Sequence, residues 1–189
     1  MNVPSGDMPR SATIESRRVH TGRVISLDID SVRYPDGTTG ELEMIRHPGA
    51  SAVLPFLTEP TAANAEVLLL RQYRYAADGY LYEVPAGRLE PNEDPIACAS
   101  RELREETGCS ASSMTHLTTI YTTPGFTDER IHLFMATGLT RGVAAPERDE
   151  FIEAITCPLA EALRLIERGE IRDAKTVIAL LFAAGYRTA

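Results

Sequence analysis

At 189 residues the chain is long enough for one domain with a real core, and 43% hydrophobic residues is ordinary for a globular protein. A net charge of −8, from 27 acidic against 19 basic residues, argues against a nucleic-acid or anionic-membrane surface. Cys98, Cys109 and Cys157 show no metal-ligand spacing, and no apolar leader or spanning stretch is visible, so reduced thiols in the cytoplasm are expected. None of His20, His47, His116 and His132 forms a ligand pair in the sequence, so each is expected as a surface or satisfied residue rather than a zinc ligand.

Residues 1–10 carry Pro4, Gly6, Asp7 and Pro9 without a hydrophobic period and read as a disordered tail. Residues 11–20 and 23–34 alternate as strands do, with Val24, Ile25, Leu27, Ile29 and Val32 at the apolar positions. The turn Pro35-Asp36-Gly37 leads into a third strand over 40–47. Residues 11–48 are thus expected to form a small antiparallel β-sheet ahead of a main domain over 49–189. A sheet of that size is marginal alone and must pack on something. Residues 51–57 and 67–71 are apolar runs of strand length, buried on both faces if the pattern is followed. Arg71-Gln72-Tyr73-Arg74-Tyr75 then alternates charge and aromatic. Such a stripe suits either an exposed strand edge or a functional face that presents Arg71 and Arg74 as planar donors. Residues 81–84 form a strand feeding Pro85-Ala86-Gly87.

The most informative stretch is GRLEPNEDPIACASRELREETGC, residues 87–109. Asp94 followed by Pro95 has the form of an N-cap with proline at the first helical position, and Gly108 is a natural C-terminal cap. On the helix between them, Ile96, Ala99, Leu103 and Thr107 share one face, with Glu102 and Glu106 one turn apart beside it and Glu105 next to that pair. Arg101 and Glu105 are an i, i+4 ion pair, as on any solvated helix. Glu102 and Glu106, however, are a like-charge pair that costs a few tenths of a kcal/mol unless a cation sits nearby. Grouped carboxylates select a hard ion such as Mg²⁺ or Mn²⁺, which usually completes its shell with substrate phosphates.

Gly87, Glu93, Arg101, Glu102, Leu103, Glu105, Glu106 and Gly108 together match a pattern that chance would produce on the order of once in 10⁹ trials. The stretch resembles the Nudix box, and the resemblance implies an α/β/α sandwich with a mixed sheet that hydrolyses nucleoside diphosphates linked to another group with Mg²⁺, Mn²⁺ substituting. It also implies that Glu102 and Glu106 ligate metal, that Glu105 is a further ligand or base, that the Ala86 carbonyl adds a ligand, and that Glu93 and Arg101 brace the loop. The box closes on Cys109 where Leu, Ile or Val is usual, and a buried free cysteine is itself a small hydrophobe. Three further segments resemble the ADP-ribose pyrophosphatase subfamily: Arg71 to Arg74, which raises the substrate-binding reading of both arginines; Glu83-Val84-Pro85-Ala86-Gly87, where Glu83 helps shape the site; and Pro124 to Glu129, sixteen residues beyond Gly108, with Glu129 as a ligand contact. In that subfamily the N-terminal segment reaches across a homodimer, so a dimer through the small sheet is implied.

After the box, residues 117–122 and 131–136 read as strands. The loop over 139–150 ends in Glu147, Asp149 and Glu150. Such a cluster usually marks a solvated loop, but the resemblance implies a glutamate here as general base or extra metal ligand, Glu150 first and Glu147 second. A strand over 151–157 and a helix over 159–168 follow, and Asp173 caps a terminal helix apolar nearly all round. The expected function is hydrolysis of a nucleotide sugar, ADP-ribose foremost, with GDP-mannose, UDP-glucose, or a flavin or dinucleoside compound as alternatives. A sensing module that binds without cutting is the rival class, and the presence of Glu102, Glu105 and Glu106 together favours catalysis.

Overall fold

The computed structural model describes residues 12–145 and 151–185. The expected tail over 1–10 therefore lies outside the described residues, as do Glu147 and Glu150. The chain divides into two compact units, one of Met1–Pro48 with Tyr121–Glu129, the other of Gly49–Ile120 with Arg130–Ala189.

The first unit holds an antiparallel sheet of β1 (Ala12–Thr21), β2 (Ser26–Arg33) and β3 (Thr39–Arg46), in that order. The β2–β3 turn closes with the Tyr34 N–H donating to Thr38 O, and Gly37 supplies the left-handed residue at φ +88°. The buried face of β2 is not the one its apolar residues suggest. Asp28, Asp30 and Val32 are buried, while Leu27 and Ile29 are only partly so. Charge pairing makes this possible, since a buried carboxylate must be matched. Asp28 is paired by Arg18 and by Arg46 at 3.0 Å, and Asp30 by Arg46 and by the Ser16 hydroxyl at 2.6 Å. Hydrogen bonds from Arg18 and then Arg46 hold the Asp28 carboxyl below its ordinary range. In the same unit Asp128 accepts from the His47 N–H at 2.9 Å and lies 3.4 Å from Arg46. Strand β1 is exposed along its whole length, Ile14 and Val19 included.

In the second unit a four-stranded mixed sheet has the order β7 (Ala86–Arg88), β4 (Ala50–Pro55), β9 (Arg130–Arg141), β8 (Cys109–Tyr121), with β4 parallel to β9 and antiparallel to β7. An antiparallel sheet has the order β10 (Ile152–Pro158), β5 (Glu66–Arg74), β6 (Gly79–Glu83). Strand alternation splits the core in two. Val53, Leu68 and Phe134 pack with Ala99 and Leu103 of helix α1 (Pro95–Thr107). Their chain neighbours Leu54, Leu69 and Leu133 pack on the opposite side with α2 (Leu159–Glu167) and α3 (Ala174–Ala183). The result is the expected α/β/α sandwich, because β4 buries all six of its residues and both faces must be covered. Among the described residues no helix is long and apolar enough to cross a membrane.

Helix α1 begins and ends where its punctuation says. Asp94 accepts from the Ile96 N–H at 2.9 Å with Pro95 at the first helical position, and Gly108 closes it at φ +73°. A Cβ on Gly108 would also meet the backbone of residues 142–144 at 2.7–2.9 Å, since the Gly142 N–H donates to Gly108 O at 2.8 Å. The buried face comprises Cys98, Ala99, Glu102, Leu103 and Glu106, whereas Ile96 is 42% exposed. Thus the first turn stands clear of the core, and two carboxylates take positions that hydrophobes would normally hold.

Candidate active site

The 87–109 stretch wraps one wall of a cavity of about 590 Å³, within the range of nucleotide-sized ligand sites. Arg74, Ala86, Gly87, Arg88, Arg101, Glu102, Glu105 and Ala145 are among its lining residues. Arg101 is the organising cation. Its Nε and Nη2 fork onto Glu93 at 2.9 Å each, Nη1 reaches Glu102 at 2.6 Å and Glu105 at 3.2 Å, and Nη2 also donates to Arg88 O at 3.0 Å. The hydrogen bonds from Arg101 bring the Glu93 carboxyl down to about 2, so this brace between loop and helix stays ionised through the physiological range. Beneath the loop, the buried Cys98 thiol faces Gly87 O and Arg88 O at 3.6 and 3.4 Å, and burial pushes it up to about 11. It serves as packing, not as a nucleophile.

Glu102 and Glu106 are 8% and 4% exposed, and Glu106 accepts from the Ala86 N–H at 3.0 Å. Gly87 lies so close to Glu102 that an added Cβ would overlap its carboxylate. The loop therefore approaches the helix within carboxylate reach, and a residue without a side chain permits it with Glu102 left in place. As these side chains stand, no three His, Cys, Asp or Glu groups among the described residues are disposed to hold a metal ion. The Arg101 guanidinium supplies the positive charge between Glu102 and Glu105 instead. The donor set itself, carboxylates on one helix beside a backbone loop, is of the hard-oxygen type that Mg²⁺ or Mn²⁺ takes.

A second cluster stands behind Arg74. Glu83 is 1% exposed and receives Arg74 Nε and Nη2 at 2.7 Å each, with Lys175 Nζ at 2.6 Å. Burial pushes the Glu83 carboxyl up, but Arg74 and Lys175 outweigh it and leave it below its ordinary value. Lys175 also meets Asp173 at 3.0 Å, whose other oxygen caps α3 at the Thr176 N–H. Arg74 is thereby held in the cavity wall by a carboxylate that is fully engaged in holding it. Sequence reasoning missed Lys175, which lies 92 residues from Glu83 and is the chain's single lysine.

Arg71 is placed differently from Arg74. Its guanidinium lies 4.1 Å from the Tyr80 ring centroid and 3.6 Å from Glu153, and it is not among the cavity-lining residues. Glu129 belongs to the N-terminal unit, where it accepts from the Thr122 hydroxyl at 2.8 Å and lies 3.4 Å from His47 Nδ1. Ala86, Glu102, Glu105, Glu106, Arg101 and Arg74 are thus brought together, while Arg71 and Glu129 have other partners.

The sandwich alone fixes no activity, and the site it carries, a paired-carboxylate helix held under a glycine loop, is where the chemistry lies. The NUDIX domain matches residues 46–180, and the chain belongs to the Nudix family. It is accordingly a hydrolase of a family that is generally dependent on divalent metals. It is 40% identical over 179 residues to a methanol dehydrogenase activator of Bacillus methanolicus, with 94% of each chain covered. It is 38% identical over 172 residues to an ADP-ribose pyrophosphatase of Bacillus subtilis, with 90% of each covered. A GDP-mannose pyrophosphatase of Salmonella paratyphi B is 36% identical over 155 residues, covering 73% of this chain and 78% of that protein. Among solved structures, an ADP compounds hydrolase superposes with a TM-score of 0.79 over 96% of both chains at 21% identity, a likeness of fold.

Proposed function

We propose that the protein hydrolyses ADP-ribose to AMP and ribose 5-phosphate with Mg²⁺ as cofactor, Mn²⁺ substituting. The observation that carries the reading is the joint presence of the buried Glu102–Glu106 pair beneath Gly87 and near full-length similarity to a protein named ADP-ribose pyrophosphatase. Glu102, Glu105, Glu106 and the Ala86 carbonyl would hold the metal, which when bound neutralises diphosphate charge and lowers the pKa of a coordinated water. The chain's own residues supply the rest. Arg74, locked on Glu83, presents its remaining donors to a phosphate or ribose oxygen, and Arg101 fixes the loop that carries Ala86. Water oxygen bonds to one phosphorus, the bridging P–O bond breaks toward the other phosphate, and a carboxylate takes the water's proton. Glu150 is our choice for that base and Glu147 the second, on the family resemblance of the acidic loop in the sequence. Comparing kcat of Glu150→Gln with that of Glu147→Gln identifies it, the base being the position with the larger loss.

The test of the whole reading is turnover with and without chelator across ADP-ribose, ADP-glucose, GDP-mannose, UDP-glucose and NAD. ADP-ribose is expected to have the highest kcat/KM, with activity abolished by chelator and restored by Mg²⁺. Full activity in excess chelator would overturn metal dependence. A lead of tenfold or more for GDP-mannose or UDP-glucose, about 1.4 kcal/mol in transition-state binding, would overturn the substrate. NAD stands in the panel as a dinucleoside compound with the same diphosphate linkage, one of the alternatives the sequence leaves open.

We further propose a cytoplasmic homodimer built through the N-terminal sheet. Supporting it are the uncovered β1, with Ile14 55% and Val19 48% exposed, and the unpaired thiols of Cys98, Cys109 and Cys157. Sedimentation should give a dimer, and deletion of residues 1–47 should give unstable or aggregating monomers. A deletion variant that remains folded, dimeric and active would refute the assignment.

A further inference from the structure

We infer a second cation site, formed by His116 and His132 on the β8–β9 edge of the mixed sheet, that takes a borderline transition ion of the Zn²⁺ class. The two histidines are 16 residues apart in sequence but occupy neighbouring strands, β8 being the terminal strand of its sheet. Nε2 of His116 and Nδ1 of His132 converge on one point, the Thr119 hydroxyl oxygen, at 3.0 and 2.9 Å. That hydroxyl has one proton, so it donates to one ring nitrogen and accepts from the other. The hydroxyl stands where an ion would bind. Imidazole nitrogens bind zinc at about 2.0–2.1 Å, so each ring must close by roughly 0.9 Å while Thr119 turns to another staggered rotamer.

The surroundings favour the exchange. His116 packs edge-on against Phe134, ring centroids 5.4 Å apart at 69°, and Phe134 is two residues beyond His132 on the same strand face. One ring is therefore held in orientation by the residue that shares a face with the other. His116 and Thr119 are exposed and His132 is half-buried, which leaves a route for a hydrated ion. Burial, then the neighbouring His116 and Arg130, keep His132 below the ordinary histidine range, with Asp94 opposing them. Two imidazoles with water in the remaining positions are a softer donor set than the carboxylates of α1, so the two sites sort ions by chemistry. An ion here ties β8 to β9 and stabilises the folded chain according to its concentration over its dissociation constant.

The experiment is a Zn²⁺ titration of the full chain with Mg²⁺ in millimolar excess, read by thermal melting and by the side-chain ¹⁵N resonances of the four histidines. The melting temperature should rise, with one equivalent shifting the His116 and His132 ring nitrogens together and sparing His20 and His47. His116→Gln and His132→Ala should each weaken Zn²⁺ binding by tenfold or more, and Thr119→Val should retain it. Unchanged affinity in the His116/His132 double variant, a shift confined to one ring, or loss of binding through Glu106→Gln alone would each overturn the site. The resonance readout on the unaltered chain needs no variant to fold.

Discussion

Glu106→Gln is expected to lower kcat by about 10²-fold or more while the protein folds as before. Glu106 sits at 4% exposure on α1, and its carboxylate accepts the Ala86 N–H at 3.0 Å. Glutamine keeps that shape, and its amide oxygen keeps the acceptor for Ala86, so the loop is not released. What disappears is one negative charge beside Glu102, in a position where protein rather than water sets the field. Losing a preorganised electrostatic element of this kind typically costs 10²–10³ in rate, about 2.7–4 kcal/mol. The fall should appear in kcat more than in KM, because the charge matters most as the transition state forms. Steady-state kinetics at saturating Mg²⁺, with a thermal melt as control, measures it. An unchanged kcat would place the metal-holding charge elsewhere.

Gly87→Ala tests the same site from the loop. The added methyl would overlap the Glu102 carboxylate, the far end of a flexible side chain, so the carboxylate can yield where backbone could not. The expected loss is therefore catalytic. Displacing Glu102 also disturbs its 2.6 Å contact with Arg101, and a misplacement near 1 Å costs on the order of 10² in rate when geometry is preorganised. The melting temperature should change little beside that loss. Wild-type kcat in Gly87→Ala would mean that Glu102 does not act from the position it occupies.

How far the molecule could be read beforehand depended on how local each determinant is. Helix α1 was legible at both ends because Asp94, Pro95 and Gly108 act within one turn of themselves. The inner strands were legible because burial on both faces leaves continuous apolar runs, as in β4. The first half of β8 was not, since Ser110, Ser112, Ser113 and Thr115 lie on a terminal strand that has little to bury. The buried face of β2 was not legible, because Asp28 and Asp30 become tolerable there only once Arg18 and Arg46 arrive from neighbouring strands. Within the site, the glutamates of α1 announced themselves by spacing. The lock of Arg74 by Glu83 and Lys175 did not, because its members meet only after three distant segments have packed.

That lock also shapes how the molecule meets reagents and proteases. Lys175 is the chain's only lysine, its side chain is 11% exposed, and the next residue, Thr176, is fully buried with its hydroxyl bonded to the Val84 N–H at 2.9 Å. A lysine-specific protease has one peptide bond to attack, and that bond lies in the first turn of α3. Cleavage requires the helix to leave its place, so the rate at which the C-terminal peptide is released measures the opening of α3 rather than surface accessibility. Acylating reagents face the same barrier. Conjugation at this ε-amine would report a molecule whose Glu83 has already lost its Lys175 partner.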